Sequence, residues 1–517
     1  MNAMTTAFTG GPILTMDPGN QSPEIVVVEG EHIRAVGERG LLASFPEAAV
    51  IDLDGATLTP GFIDAHNHLS IAALNPRFRD VSNVSTIEGL VEAIAAQASD
   101  EPEAEWIRVI GWNEVATGLR PTRADLDSLG FDRPIIVVHY TLHQCLVSSL
   151  GLDLLGIGRS TVAPAGGEIE RDAGGAPTGV LLERAWSHAH AVSLAPYADP
   201  DRWAEHIAAR ARVLHRYGIT AVHDAACSPE AEAVYRSMAA AHALPLSVLA
   251  MPHAAALLVN GVGSRLDGPR TGEGDEWLRT GPVKCFADGG ASIAIDITID
   301  GQRLRFGVLM DDLAEHLRAA VDAGFRVGVH AMGNDGVRSC IDAFRLAARS
   351  RPDDDHRFRI EHAGLASAGQ CRELAAVGAV AVVQPAFVEH VAHATGGAVF
   401  DECAWLPFRD LSEAGVPLAG SSDDPCAPVP PLWGAALGTS RLAVDGTPLA
   451  PDQSVPFDDW LQAYTTGSAF AGGQERERGR LEPGMRADLV VLRGSGSDRT
   501  VAETWVAGSQ VYSAADE

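Results

Sequence analysis

From about residue 205 to 425 the chain alternates between two hydrophobic periods. Short apolar, β-prone runs recur: ITAVHDA (219–225), LPLSVLAMPH (244–253), PVKCFADGG (282–290), FRVGVHAMG (325–333), RFRIEHAG (357–364), AVAVVQPAF (379–387) and VPLAGSSDDP (416–425). Between several of them apolar residues return every three or four positions, as in LAEHLRAAVDAG (313–324), which is the period of an amphipathic helix. The helical stretches tend to stop at Gly (DAG, AVG, EAG), a residue suited to a C-terminal cap. With LTPGFIDAHNHL (58–69) ahead of them, the candidate strands number eight. Eight β/α units predict an α/β fold, a TIM (β/α)8 barrel, over residues 58–75 plus 201–480.

The two ends carry a different pattern. EIVVVEGEHIRAVGE has two β-branched runs around Gly30-Glu31, a hairpin signal, and VIDLDGATLTP adds a short strand. Near the C-terminus RADLVVLRG and ETWVAGSQVY repeat the theme. Neither end can bury a core alone. Residues 1–57 and 481–517 are therefore expected to pair into one composite β-sandwich. About 150 residues separate the first barrel strand from the second, too many for one crossover. They include WIRVIGWNE and PIIVVHYTLH among helical stretches, so residues 76–200 are expected to form an inserted α+β domain.

Composition narrows the setting. The 517 residues are 46% hydrophobic and 21% charged, the balance of a soluble globular protein. The net charge of −29 disfavours nucleic acid and anionic membranes as partners. Seven scattered cysteines with no CxxC pair suggest free thiols in a reducing cytoplasm. No apolar stretch is long enough to span a membrane, and MNAMTTAFTGG lacks the regions of a signal peptide. A small-molecule substrate is the expected partner, and the exposed sandwich could support a homodimer.

The polar residues at the strand ends then stand out. TIM-barrel active sites lie at the C-terminal ends of the strands. His66 and His68 end the first strand, two apart, so both rings face one side and can share a metal. His188 and His190 have the same spacing but sit in GVLLERAWSHAHAV, which reads as helix. There positions i and i+2 diverge by about 200°. The remaining strands place Lys284, His330, His362 and Asp423 at the same mouth. Imidazole suits zinc and its neighbours. Lys284 lies in an apolar strand, where desolvation lowers its pKa and lets a neutral amine take up carbon dioxide as a carbamate. An ion pair with Asp288 is the structural alternative. His390 and His393 in EHVAH form no HExxH, and no GxSxG, GxGxxG or P-loop occurs.

The motifs PGFIDAHNHL, VKCFADGG, VGVHAMG, RIEHAG, PLAGSSDDP and LEPGMRADLVVL span nearly the whole chain. Together they resemble the amidohydrolase superfamily of metal-dependent hydrolases. The long insertion, APTGVLLERA (176–185) and GITAVHDA (218–225) are similar to its YtcJ-like branch, which includes N-substituted formamide deformylases. The resemblance implies a divalent metal centre, usually zinc, with one or two ions. It matches His66, His68 and Asp423 to the ligands of one metal, His330 and His362 to those of a second, and Lys284 to a carboxylated lysine bridging a binuclear centre.

The sequence departs from this branch in two places. Asp423 is followed by Asp424-Pro425 instead of Trp-Pro, and HYTLHQ, with His139 and His143, lacks an Asp before its His. The implied activity is hydrolysis of a C–N bond of the amide or formamide type. A metal-activated hydroxide attacks, and Asp423 serves as general base and then acid. His143 and Trp112 are the candidate substrate contacts, with ordinary packing as the alternative for each. A deaminase, a lactonase or a prolidase-like hydrolase would use the same metals, and a non-catalytic barrel is the reading furthest from the ligand set.

Overall fold

The computed structural model describes residues 5–516 apart from 20, 21, 255, 300, 353, 354, 399 and 401. The first four residues of the expected N-terminal β segment and Glu517 thus lie outside the described residues. Each of the eight apolar segments forms a strand: β1 (Phe62–Asn67), β2 (Ile219–Cys227), β3 (Ser247–Pro252), β4 (Val283–Phe286), β5 (Val327–Ala331), β6 (Arg359–His362), β7 (Val380–Val383) and β8 (Leu418–Gly420). Nearly every residue in them is buried, as expected of parallel strands covered on both faces.

These strands form two parallel sheets. One has the order Leu278–Thr280, β3, β2, β1, and the other the order β4, β5, β6, β7, β8. Backbone hydrogen bonds cross both gaps. Asp423 N donates to His66 O and His68 N to Asp424 O, each at 2.8 Å, joining the end of β8 to β1. Gly281 N donates to Ala250 O at 2.7 Å, joining the start of β4 to β3.

The helices between the strands bury one stripe. On Leu313–Asp322 the buried residues are Leu313, Leu317, Ala320 and Val321; on Asn334–Ala348 they include Val337, Cys340, Ile341, Phe344 and Ala347. This is the 3-4 spacing visible in the sequence. Gly324, at φ 87°, follows the first of these helices in the left-handed conformation a side chain would disfavour.

The chain termini supply two four-stranded sheets. His32–Gly37, Ile25–Glu29, Thr5–Thr9 and Ala49–Asp52 make the first, and Ser509–Ser513, Thr500–Val506, Leu489–Arg493 and Thr57–Pro60 the second. Phe8, Val26, Leu58, Leu489, Val491 and Trp505 belong to one apolar core, so both sheets are packed against the same side chains. Within 76–200 a six-stranded mixed sheet has the order Gly167–Arg171, Pro177–Glu183, Gln144–Val147, Ile135–His139, Ile107–Trp112, Arg79–Asp80. The hairpin Ile295–Ile299 with Gln302–Phe306, after β4, has no counterpart in the sequence reading. All seven cysteines are free and buried. No helix among the described residues is long and apolar enough to cross a membrane.

Candidate metal centre

The C-terminal ends of β1, β4, β5, β6 and β8 surround one cavity of about 200 Å3. His66, His68, Lys284, His330, His362 and Asp423 all line it, together with His143. The side-chain donors of His66, His68 and Asp423 lie within 4.8 Å of one another, close enough to hold one ion. Asp423 Oδ1 is 3.1 Å from His68 Nε2 and 3.4 Å from His66 Nε2, and no hydrogen bond satisfies it. His330 and His362 stand beside this group, with ring centroids 4.6 Å apart and His362 4.8 Å from His66.

The outward nitrogens of these rings are pinned. His66 Nδ1 meets Glu361 Oε2 at 2.7 Å, His68 Nδ1 meets Ala225 O at 2.7 Å, and His362 Nδ1 meets Gln384 Oε1 at 2.8 Å. Each Nδ1–H is thereby committed to an acceptor, which leaves the Nε2 lone pair free, the arrangement typical of metal-binding histidines. Burial also favours the neutral form of His66, His330 and His362. It pushes His66 and His330 well below the usual histidine range and His362 down to about 4. Burial opposes ionisation of Asp423, yet the facing His66, His68 and His362 hold its carboxyl well below the usual carboxylate range.

Lys284 is 1% exposed. Burial pulls its amine down to about 8, against the opposing pull of Glu361 and Asp423. Its Nζ lies 3.2 Å from His66 Nε2. The alternative pairing with Asp288 is not formed, because Asp288 accepts the backbone N–H groups of Ala294, Met332 and Gly333. Asp424 is turned away from the site by its own part-buried pairing with Arg210. Asp423 is thus the carboxylate that faces the histidines. His362, Ala363 and Asp423 all have positive φ (74°, 47° and 64°), a cost of about 1–3 kcal/mol each that tends to collect at functional sites.

The segment 76–200 reaches this cavity through His143. Its Nδ1 lies 2.7 Å from Glu183 Oε2, and Glu183 Oε1 accepts Ala291 N and Ser292 N at 2.9 and 2.7 Å. Glu183 is fully buried and has φ 52°. The paired glycines of VKCFADGG allow this contact. A Cβ at Gly289 would lie 2.4 Å from the Glu183 carboxylate, and one at Gly290 2.5 Å from the His143 ring.

Trp112, expected as a possible wall of the substrate site, is not on it. Its ring packs among Val109, Leu119 and Ile135 in the core beneath the six-stranded sheet, and its Nε1 donates to Leu119 O at 2.9 Å. His139 is likewise held away from His66, His68 and Asp423, between Glu114 and Thr141. His190 bonds Arg108 from within the helix Arg184–Leu194, and His393 pairs with Asp445.

Sequence reasoning missed Glu361, Gln384, Glu183 and His253. The last is buried at the end of β3, with Nδ1 3.0 Å from Lys284 O. Arg359-Ile360-Glu361 did carry a signal, since two charged residues spaced two apart in a buried strand need partners.

The amidohydrolase family model matches residues 49–512, nearly the whole chain. The chain belongs to the amidohydrolase family. It is 34% identical to an N-substituted formamide deformylase of Arthrobacter pascens over 501 residues, covering 93% of this chain and 92% of that one. It is also 28% identical to YtcJ of Bacillus subtilis, covering 95% and 94% of the two chains. A crystal structure of a metal-dependent hydrolase from Pyrococcus horikoshii superposes with a TM-score of 0.73 at 22% identity, over 95% of this chain and 98% of that one. This family member therefore shares the fold of such structures from end to end.

Proposed function

We propose that this amidohydrolase-family protein hydrolyses a C–N bond in a neutral amide of the N-substituted formamide type, in the cytoplasm. The eight strands are read as one closed (β/α)8 barrel, with 1–57 plus 481–517 as its β-sandwich and 76–200 as an inserted domain. The observation that carries the reading is the convergence of His66 Nε2, His68 Nε2 and an unsatisfied Asp423 Oδ1, with both histidines pinned from behind.

This donor set fits a divalent ion, and zinc is the metal we infer. His66, His68 and Asp423 would hold one ion, and His330 and His362 a second, with a carbamate on Lys284 between them. When bound, such a metal supplies a Lewis acid that polarises a carbonyl oxygen and lowers the pKa of water. Lys284 must yield its contact with His66 Nε2 for this, and an amine drawn down to about 8 gives up its proton readily.

The protein's own groups do the rest. Asp423, ionised at neutral pH, takes the proton of the attacking water at its other carboxylate oxygen, Oδ2, and returns it to the nitrogen of the leaving amine. Water and amide become a carboxylic acid and an amine, so Asp423 ends as it began. Beyond the histidines, Lys284 and Asp423, the cavity lining is largely apolar, with Leu142, Leu257, Ile293, Met332, Phe387 and Trp405, and its polar members there include Tyr140, Thr141, His390 and Thr395. Among the described residues no arginine lines it, and the one lysine that does is Lys284. An apolar substituent therefore finds a matching surface and a carboxylated one finds no counter-ion. The similarity to an N-substituted formamide deformylase supports the formamide-type bond.

The test is a panel of N-aralkyl formamides, N-acyl amino acids, lactones and aminopyrimidines, assayed with the zinc-loaded protein. Release of amine and formate from the formamides is expected. Turnover confined to any other class would replace this reading.

A further inference from the structure

Behind the metal site lies a second set of buried charges. Glu361 and Arg359, two apart on β6, are both 0% exposed. Arg359 Nε lies 2.8 Å from Glu361 Oε1 and Nη2 3.1 Å from Oε2, a two-pronged grip. The same Nη2 donates to Ala65 O at 2.7 Å, and Nη1 lies 3.0 Å from His223 Nδ1. Glu361 Oε2 then meets His66 Nδ1. Gly328, paired with Arg359 across β5 and β6, makes room for this arrangement, since a Cβ there would lie 2.6 Å from Glu361 Oε1.

A fully buried ion pair is weak as a source of stability, because desolvation offsets its attraction. Its geometry here does something more specific. Arg359 grips both the carboxylate behind the His66 ring and the carbonyl of the residue before His66. Backbone and side chain of His66 are thus set by one guanidinium.

We propose that Arg359 and Glu361 are positioning residues that set the metal affinity of His66. Glu361 holds the Nδ1–H tautomer and enriches the Nε2 lone pair. Arg359 holds Glu361 in place and in register with β1. Partners of this kind behind a metal-binding histidine typically change affinity by about 10- to 100-fold when removed. The inference rests on the reading of His66 as a metal ligand.

The experiment measures the zinc dissociation constant of the full-length protein by competition with a chelator. It is run on the wild type, on Glu361→Gln, and on the double variant Arg359→Met/Glu361→Gln, which leaves no unpaired buried charge and so protects the fold. Both variants are expected to bind zinc about 10- to 100-fold more weakly. The cobalt-substituted double variant is expected to have an altered visible spectrum, with thermal unfolding of the metal-free protein close to wild type. Zinc affinity within twofold of wild type and an unchanged cobalt spectrum in the folded double variant would overturn the positioning role alone. A wild type that binds neither zinc nor cobalt would overturn both this inference and the metal reading beneath it.

Discussion

Gly290→Ala places one methyl group where the structure has least room for it. The new Cβ would stand 2.5, 2.6 and 2.7 Å from Cδ2, Nε2 and Cγ of His143, whereas ordinary contact begins at 3.4 Å. The flat ring must move as a unit by about 1 Å, or the backbone at 290 must retreat by as much. Either movement works against Glu183, which holds the ring through Oε2 and the 291–292 backbone through Oε1. A misplacement of about 1 Å in a site is enough to cost roughly 100-fold in rate. We therefore expect kcat/KM for an N-aralkyl formamide to fall about 100-fold. Zinc content should not change, because no metal ligand is displaced, and stability should fall by about 1–3 kcal/mol, the usual cost of overpacking. The assay is steady-state amine release with parallel elemental analysis and thermal unfolding. Gly40→Ala, where a Cβ meets nothing within 4 Å, is the control. A Gly290→Ala enzyme with kcat/KM within threefold of wild type would refute the claim that His143 is held in a functional position.

Three further outcomes follow from the same structure. His215 is 3% exposed, and burial brings it from the usual 6.5 down to about 4, so the unfolded chain binds the extra proton between those values. Its contribution to stability is complete above about pH 6.5 and is lost as the pH falls to about 4, an effect of about 3 kcal/mol that His215→Gln should remove from urea-unfolding curves. A curve for the variant that parallels wild type across that range would contradict this. Trp112→Ala should destabilise the fold by about 3–5 kcal/mol while leaving KM within twofold, as expected of a core residue; a raised KM at full stability would return Trp112 to the substrate wall. A carboxylate on the aryl group of a formamide substrate should lower kcat/KM by about 100-fold or more, because that charge would be buried without a partner. Equal rates for the neutral and carboxylated compounds would mean that a cation reaches the cavity.

Much of this architecture is legible in the sequence because parallel strands covered on both sides are contiguous apolar runs. VGVHAMG and AVAVVQPAF are examples, and each became a strand near its expected place. The residues that line the cavity were legible for the same reason: a histidine or lysine inside or at the end of such a run breaks its pattern. The hairpin Ile295–Ile299 with Gln302–Phe306 escaped because its strands are only five residues each, lie outside the β/α alternation, and the second, QRLRF, is exposed throughout. Glu361, Gln384 and Glu183 escaped for a different reason. Their roles depend on partners far away in sequence, such as Glu361 against His66, 295 positions apart. Local spacing cannot report such pairs. For Trp112 both readings stayed open, because an aromatic residue at a strand end looks the same whether it lines a cavity or a core.

The central claim is that His66 and His68 hold a catalytic metal. Elemental analysis of the purified His66→Ala/His68→Ala protein, set against wild type and paired with formamide turnover, tests it most directly. The account predicts zinc bound to the wild type, loss of at least the ion held by His66, His68 and Asp423, and no measurable turnover in the variant. A variant that keeps the wild-type metal content, or one that keeps full activity without metal, would contradict it.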